Sequence, residues 1–263
     1  PEPPAAENSP KTSRKPSGKF SNDMKKALKI LLAAAAVAQA SVAQTADEYF
    51  MLGNSAYKAE DYKKAVENYD LAAGEGLDTS ELYFNRANAR VKTGEPARAL
   101  ADYLKALAIS PRMREASANL KILSQEASLQ APDMSSPFFE LSKGEWFAVA
   151  VALFWICALT AAVPPLYGKG GKISWFIAAV AALGFAAGVC GGKKWSDFES
   201  LAVVVKQDAP MRLSPSPNAP IELRASEGLV VERSAERGDF ELARAPNGKS
   251  GWIKKSDFAP ISQ

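Results

Sequence analysis

The chain has 263 residues, a net charge of +3 and 47% hydrophobic residues, and it contains no histidine. The lack of histidine removes the side chain that most often serves as a general base or a metal ligand. The two cysteines, Cys157 and Cys190, both lie in apolar stretches, which argues against a disulfide framework and against a structural zinc site. A nearly balanced charge is also not that of a nucleic-acid binder, which needs excess positive charge against phosphate.

The amino-terminal region combines a polar stretch with a short apolar one. Residues 1–23 are rich in Pro, Ser, Lys and Glu, which predicts a disordered extension. Residues 24–43 then begin with Met24-Lys25-Lys26, continue with an apolar run and end at Ser41-Val42-Ala43, an order typical of a secretory signal peptide, cleaved or retained. The alternatives are an alanine-rich helix or a true anchor, but the run is too short to cross about 30 Å of hydrocarbon at about 1.5 Å per residue.

A period of 34 residues follows. The pairs that recur are Tyr49 and Tyr83, Asn54 and Asn88, Lys58 and Lys92, Ala65 and Ala99, Tyr69 and Tyr103, and Ala72 and Ala106. This pattern resembles the tetratricopeptide repeat (TPR) family, in which each unit is a pair of antiparallel helices. We therefore predict a TPR domain over residues 46–129, with repeats at 46–77 and 80–111 and a polar capping helix at 113–129.

The recurring residues have a packing role. Gly53 and Ala87 keep the side chain small where the two helices of a repeat approach each other, and the recurring tyrosines fill the space between them. Because the tyrosine period coincides with the repeat period, we interpret the tyrosines as core rather than as a cofactor site. Pro111 closes the second repeat as the family expects, whereas Gly74-Glu75-Gly76-Leu77 closes the first more loosely.

The TPR resemblance also implies a binding surface, because in this family the first helix of each repeat lines a concave groove. The matching groove residues here are Phe50, Asn54, Tyr57 and Lys58 in the first repeat and Phe84, Asn88, Val91 and Lys92 in the second. The two asparagines, which we expect to be exposed, suit a peptide backbone, and the two lysines suit an acidic side chain or a terminal carboxylate. The alternative is that these lysines are simply solvated.

Two uncharged apolar runs come next. After a linker at residues 130–143, we predict transmembrane helices at 145–167 and 173–190, joined by a tight turn. A buried hairpin of a soluble domain is the alternative, but soluble helices normally show a polar face. The uncharged runs extend from Trp146 to Leu166 and from Ile173 to Cys190, so a proton or ion path along these helices has no support. Interfacial aromatics are expected near the ends of such runs, which is where most of the following lie: Trp146, Trp155, Tyr167, Trp175 and Trp195.

The carboxy-terminal region, residues 201–260, has short strand-like runs. Asn247-Gly248 predicts a two-residue hairpin turn that leads into a last strand at residues 250–253. Its pattern resembles bacterial SH3-like domains, which are small all-β barrels that bind peptides or cell-wall material or simply mediate assembly. The residues that carry this resemblance are Arg212-Leu213-Ser214-Pro215-Ser216, Glu227-Gly228 and Gly248-Lys249-Ser250-Gly251-Trp252-Ile253. The spacing from Ala243 to Ser250 also fits a relaxed phosphate-binding loop, but strand-like residues follow it where a helix is required, so we expect no nucleotide.

The order of segments over residues 24–260 is similar to that of the Bat (Bacteroides-type aerotolerance) proteins, which accompany MoxR-type ATPases and von Willebrand factor A membrane proteins. The resemblance implies an inner-membrane protein whose TPR and SH3-like domains face the periplasm. We expect a multidomain fold: all-α TPR hairpins, a two-helix transmembrane segment and a small SH3-like barrel. The predicted function is a non-enzymatic adaptor for proteins or peptides, such as other Bat-type or TPR proteins. The alternative is an envelope sensor whose SH3-like domain binds cell-wall material or peptide. We assign no catalytic, cofactor-binding or metal-binding residue.

Overall fold

The computed structural model describes residues 46–134, 136–166 and 171–262. The predicted extension at 1–23 and the predicted signal peptide at 24–43 lie outside the described residues. The described part combines helical hairpins, two long apolar helices and an antiparallel sheet. The fold class is therefore the expected multidomain one, all-α at the amino-terminal end and a small all-β domain at the carboxy-terminal end.

Five helices form the TPR region. They are α1 at 46–58, α2 at Tyr62–Gly74, α3 at Ser80–Thr93, α4 at Pro96–Ile109 and α5 at Arg114–Glu126. Side chains at the helix starts satisfy free backbone N–H groups: Asp61 accepts from Lys64 and Thr79 accepts from Leu82. Gly94 ends α3 in the left-handed conformation (φ 77°), and the next helix begins with proline at its first position.

The repeat core contains the tyrosines that the period predicts. Tyr69 and Tyr103 are both buried, and so are the recurring alanines between the helices. Gly53 meets the ring of Tyr69 so closely that a Cβ atom at Gly53 would lie 2.5 Å from Tyr69 Cε1. Ala87, the equivalent residue of the second repeat, is fully buried. Small residues at this position are therefore required by the approach of the helices.

The two apolar helices are α6 at Lys143–Leu166 and α7 at Lys172–Glu199, and a 3₁₀ turn at Pro137–Phe139 precedes them. They pack against each other, with Gly184 facing Leu153 and Gly188 facing Ala150. By length and composition, Lys143–Ala162 and Ser174–Glu199 are sufficient to cross a membrane.

The second apolar helix extends past the predicted end of its span at residue 190. Its last turns join the buried cluster that contains the TPR core residues, and Trp195 is fully buried there. The indole of Trp195 donates a hydrogen bond to the carbonyl of Leu141 (2.7 Å) and packs edge-on against Phe139 and Phe198. Trp195, one of the aromatic residues near the ends of the apolar runs, thus contributes its apolar ring to this packed junction.

The sheet has seven strands. They are β1 Leu201–Val204, β2 Ala209–Arg212, β3 Ile221–Ala225, β4 Val230–Arg237, β5 Phe240–Arg244, β6 Ser250–Lys254 and β7 Phe258–Pro260. The strand order is β3-β2-β6-β5-β4-β1-β7, and every pair is antiparallel. The turn at Asn247-Gly248 is present, but it is longer than the two-residue turn we expected. The loop closes with a hydrogen bond from Ala245 N to Lys249 O (2.8 Å), so that three residues, including Pro246, lie within it.

One buried cluster is shared by the TPR helices and part of the sheet, and a second lies within the sheet domain alone. The fourth helix packs against β1 and β7, and Val203, Val230 and Ile261 belong to the same buried cluster as the repeat tyrosines. This contact explains why α4 is buried around most of its circumference, which a helix at the solvent surface would not be. The SH3-like sheet therefore covers the α4 side of the TPR helices.

Candidate functional site

Half of the predicted groove residues come together on the side of α1 and α3. A cavity of about 330 Å³ there is lined by Asn54, Tyr57, Lys58 and Asn88, which are four of the eight predicted groove residues, together with Tyr69 and Asn85. The remaining predicted residues lie outside it. Phe50 and Phe84 pack their rings against Tyr69 and Tyr103 (centroids 5.9 and 6.1 Å apart), and Val91 and Lys92 are exposed.

Hydrogen bonds hold the two groove asparagines in place, and they repeat with the 34-residue period. Asn54 Oδ1 accepts from the hydroxyl of Tyr69 (2.8 Å) and from Asn85 Nδ2 (3.0 Å). Asn88 Oδ1 accepts in the same way from Tyr103 (2.6 Å) and from Asn119 Nδ2 (2.9 Å). Two donors occupy each amide oxygen, so the amide NH₂ is the group with which each asparagine can bind a ligand.

The asparagines are therefore half-buried and structural, not exposed as expected. The tyrosines that hold them are protonated at neutral pH, as ordinary tyrosines are, and burial raises the pKa of Tyr69 and of Tyr103 further, to about 12. A protonated phenol donates to the amide oxygen. The groove donors are thus fixed before any ligand arrives, which lowers the entropic cost of binding.

Sequence reasoning missed the donors that complete this ladder. Asn85 and Asn119 lie 34 residues apart and make equivalent bonds, but Met51 occupies the corresponding position in the first repeat. The recurrence of asparagine at this position becomes visible when the second repeat is aligned with the capping helix, rather than with the first repeat. The equivalence also indicates that α5 is placed like the first helix of a third repeat.

A charged network lies on the other side of α3. Arg86 binds Asp102 (2.6 Å) and Asp70 (2.9 Å), and Arg90 binds the same two carboxylates (2.9 and 2.8 Å). Asp102 is almost fully buried, with a side-chain exposure of 4%, while Asp70 is 46% exposed. The network joins α2, α3 and α4, and we interpret it as structural because its cations and carboxylates are paired with each other.

The SH3-like domain has a cavity of its own, of about 470 Å³. It lies between residues 130–132 of the linker and the strand residues Leu201, Val230, Glu232 and Arg244. The linker is held there by Leu129, whose side chain fills the space where a Cβ atom at Gly228 would be. Gly228 also has a positive φ of 79°, so glycine is required at this position on two counts.

Comparison with known proteins identifies two domain types. The family model described as "Bacterial SH3 domain" matches residues 205–258, and the model described as "Tetratricopeptide repeat" matches residues 80–113. A solved structure, the "Arabidopsis OM64 TPR domain", is 20% identical over 56% of this chain and 98% of its own, with a TM-score of 0.32. No curated protein matches the chain. TPR and bacterial SH3 domains are typical binding modules for proteins or peptides, and the matches indicate no catalytic family.

Proposed function

We propose that this chain is a membrane-anchored, non-enzymatic adaptor that binds partner proteins through the groove of its TPR domain. The observation that carries the proposal is the division of the TPR surface. The side formed by α4 is covered by the chain's own SH3-like domain, whereas the groove of α1 and α3 holds an open cavity with fixed polar groups. A surface that is open and lined with ordered donors suits a partner from outside the chain.

The groove chemistry favours an extended or helical peptide that carries an acidic group. The amide NH₂ groups of Asn54 and Asn88 can donate to peptide carbonyls, since their oxygens are already occupied. The exposed lysines Lys58 and Lys92 can pair with an acidic side chain or a terminal carboxylate. Two repeats make a short groove, so we expect modest affinity for a single peptide.

The membrane anchor is the pair α6 and α7. Their outward side chains are largely apolar and exposed, among them Phe147, Trp175 and Phe176. Such a surface is favourable in lipid and unfavourable in water. A hairpin that spans twice returns the chain to the side from which it started, and the shared core of the TPR and SH3-like domains is compatible only with both domains on one side.

The setting we propose is the periplasmic face of a bacterial inner membrane. The support is the signal-peptide pattern at 24–43, which lies outside the described residues, together with the order of segments seen in Bat-type aerotolerance proteins. In such an envelope complex the partners would be MoxR-type ATPases, von Willebrand A proteins or other TPR proteins.

A second candidate function is an envelope sensor whose SH3-like domain binds cell-wall material or peptide. The cavity between the linker and Arg244 favours it, because it gives that domain a separate place for a ligand. Photo-crosslinking in membranes can distinguish the two functions. A photoreactive residue at Lys58 should form adducts with proteins, whereas one at Lys63, exposed on α2, serves as the control. Adducts with peptidoglycan or peptide from position 244, with none from position 58, would favour the sensor.

A further inference from the structure

The first helix of the stack leaves two large apolar side chains in solvent. Met51 is 67% exposed and Leu52 is 54% exposed, and they are neighbours on the outer side of α1. We propose that this face docks the terminal helix of another TPR chain, which extends the stack and its groove. The proposal deepens the proposed adaptor function, on which it rests, by naming the class of one partner.

The second repeat shows what covers the equivalent face. Leu52 lies 34 residues before Arg86, and Arg86 and Arg90 of α3 bind Asp70 of α2 at 2.9 and 2.8 Å. The second helix of one repeat thus lies against this face of the next repeat's first helix. Within the described residues no helix takes that place on α1. The α2–α3 interface therefore supplies the template for the missing contact.

The chemistry of the face specifies the partner helix. Leu52 and Ala56 stand where α3 has Arg86 and Arg90, so an aspartate at the position of Asp70 would meet carbon instead of guanidinium. The partner helix should be apolar at that position. Next to this patch Asp47 and Glu48 are exposed, so a lysine or arginine on the flank of the partner helix is favoured by charge.

The amide ladder gives an independent indication. At the position of Asn85 and Asn119, whose amides donate to the preceding repeat, α1 carries Met51. A contact between α1 and a preceding helix would therefore be apolar at this position, whereas the two equivalent contacts inside the stack, Asn85 with Asn54 and Asn119 with Asn88, are polar. Methionine adapts its shape to different surfaces and suits a docking site.

A second copy of this chain is a poor occupant. The terminal helix that it could offer is α5, which has the exposed Lys121 at the position of Gly53 and Ala87. The chain's own linker, at 131–134, also lies beside α5 and forms a cavity with it. The second helices of a second copy, α2 and α4, already pack against α3 and α5, so the partner that we propose for the α1 face is a different TPR chain.

Photo-crosslinking of the full chain in its native membrane tests this proposal. A photoreactive residue at Met51 should form adducts with another TPR chain, within its terminal helix, as identified by mass spectrometry of the crosslinked peptides. A photoreactive residue at Ile122 is the control, because Ile122 is 52% exposed on α5 but lies on the other end of the stack. In addition, the substitution Leu52→Glu should lower the Met51 adduct about tenfold or more, while Ile122→Glu should not.

Each other result overturns the proposal. These results are adducts from position 51 with a second copy, with residues 24–43 of the same chain, with lipid alone, with proteins that lack TPR helices, or no adduct. Melting of the Leu52→Glu chain at an unchanged temperature shows that loss of the adduct is not loss of folding. The groove is tested separately. If position 51 forms the expected adducts and position 58 forms none, the proposed groove is contradicted and the proposed docking face is still supported.

Discussion

Removal of the Asp102 carboxylate should strongly destabilise the TPR helices. This carboxylate accepts three charge-assisted hydrogen bonds, from Arg86 Nε (3.0 Å), Arg86 Nη2 (2.6 Å) and Arg90 Nη1 (2.9 Å). The two arginine side chains are only 12% and 9% exposed, so neither can recover its hydration when the partner is lost. In Asp102→Ala, Asp70 alone would face both guanidinium groups.

The expected cost follows from this burial. Breaking a buried ion pair by removing one partner costs about 3–5 kcal/mol, against a total stability of about 5–15 kcal/mol for a typical domain. Urea unfolding of the purified chain in detergent, followed by far-UV circular dichroism, measures the change in the free energy of unfolding. Glu67→Ala is the control, because Glu67 is exposed on α2. A loss below about 1 kcal/mol would mean that the network contributes no more than a surface pair, and the structural role assigned to it would be wrong.

Three further predictions concern the repeat core and the topology. Ala87→Leu should overpack a fully buried contact and lower the free energy of unfolding by about 1–3 kcal/mol, whereas Ala118→Leu, at an exposed site, should change it little. Burial raises the pKa of Tyr69 and Tyr103 to about 12, so stability should fall as the pH rises from the ordinary tyrosine value of 10.0 to about 12, and less steeply in the double phenylalanine variant. Alkaline phosphatase fused after residue 263 should be active if the chain is exported with both domains on the outer side.

The opposite results are equally clear. An unchanged melting temperature for Ala87→Leu would place the helix register elsewhere. If stability falls equally steeply with pH in the unaltered chain and in the double phenylalanine variant, the pKa values of Tyr69 and Tyr103 are not raised by burial. An inactive phosphatase with an active cytoplasmic reporter at the same point would reverse the proposed topology.

Local patterns predicted the TPR core well because its packing repeats along the chain. Tyr69 and Tyr103 are buried as the 34-residue period predicts, and Gly53 sits where only a small residue fits. The strand expected at residues 250–253 is also present, as is the turn that precedes it. Each of these features depends on residues that are close in sequence or related by a fixed period.

Features that depend on distant residues were not predictable in the same way. Arg86 and Asp102 carry no motif, and their pairing appears only when three helices are brought together. The sequence of α4 is apolar on more than one face, which indicates that a further element packs on this helix. It does not indicate that the sheet is that element. Trp195 looked like an interfacial aromatic because it lies just past the end of the second apolar run, whereas the junction with Leu141 and Phe139 buries it.

Quantitative co-purification from membranes tests the adaptor function most directly. The full chain would carry Lys58→Glu, which changes a residue that lines the cavity, together with Lys92→Glu, which changes the second predicted groove lysine. The matched control carries Lys63→Glu with Lys64→Glu at exposed sites on α2. The proposed function predicts that the groove variant loses most of the proteins that the unaltered chain retains, and that the control variant keeps them. Equal retention by both variants, with unchanged folding, would contradict the conclusion that the TPR groove binds the partners.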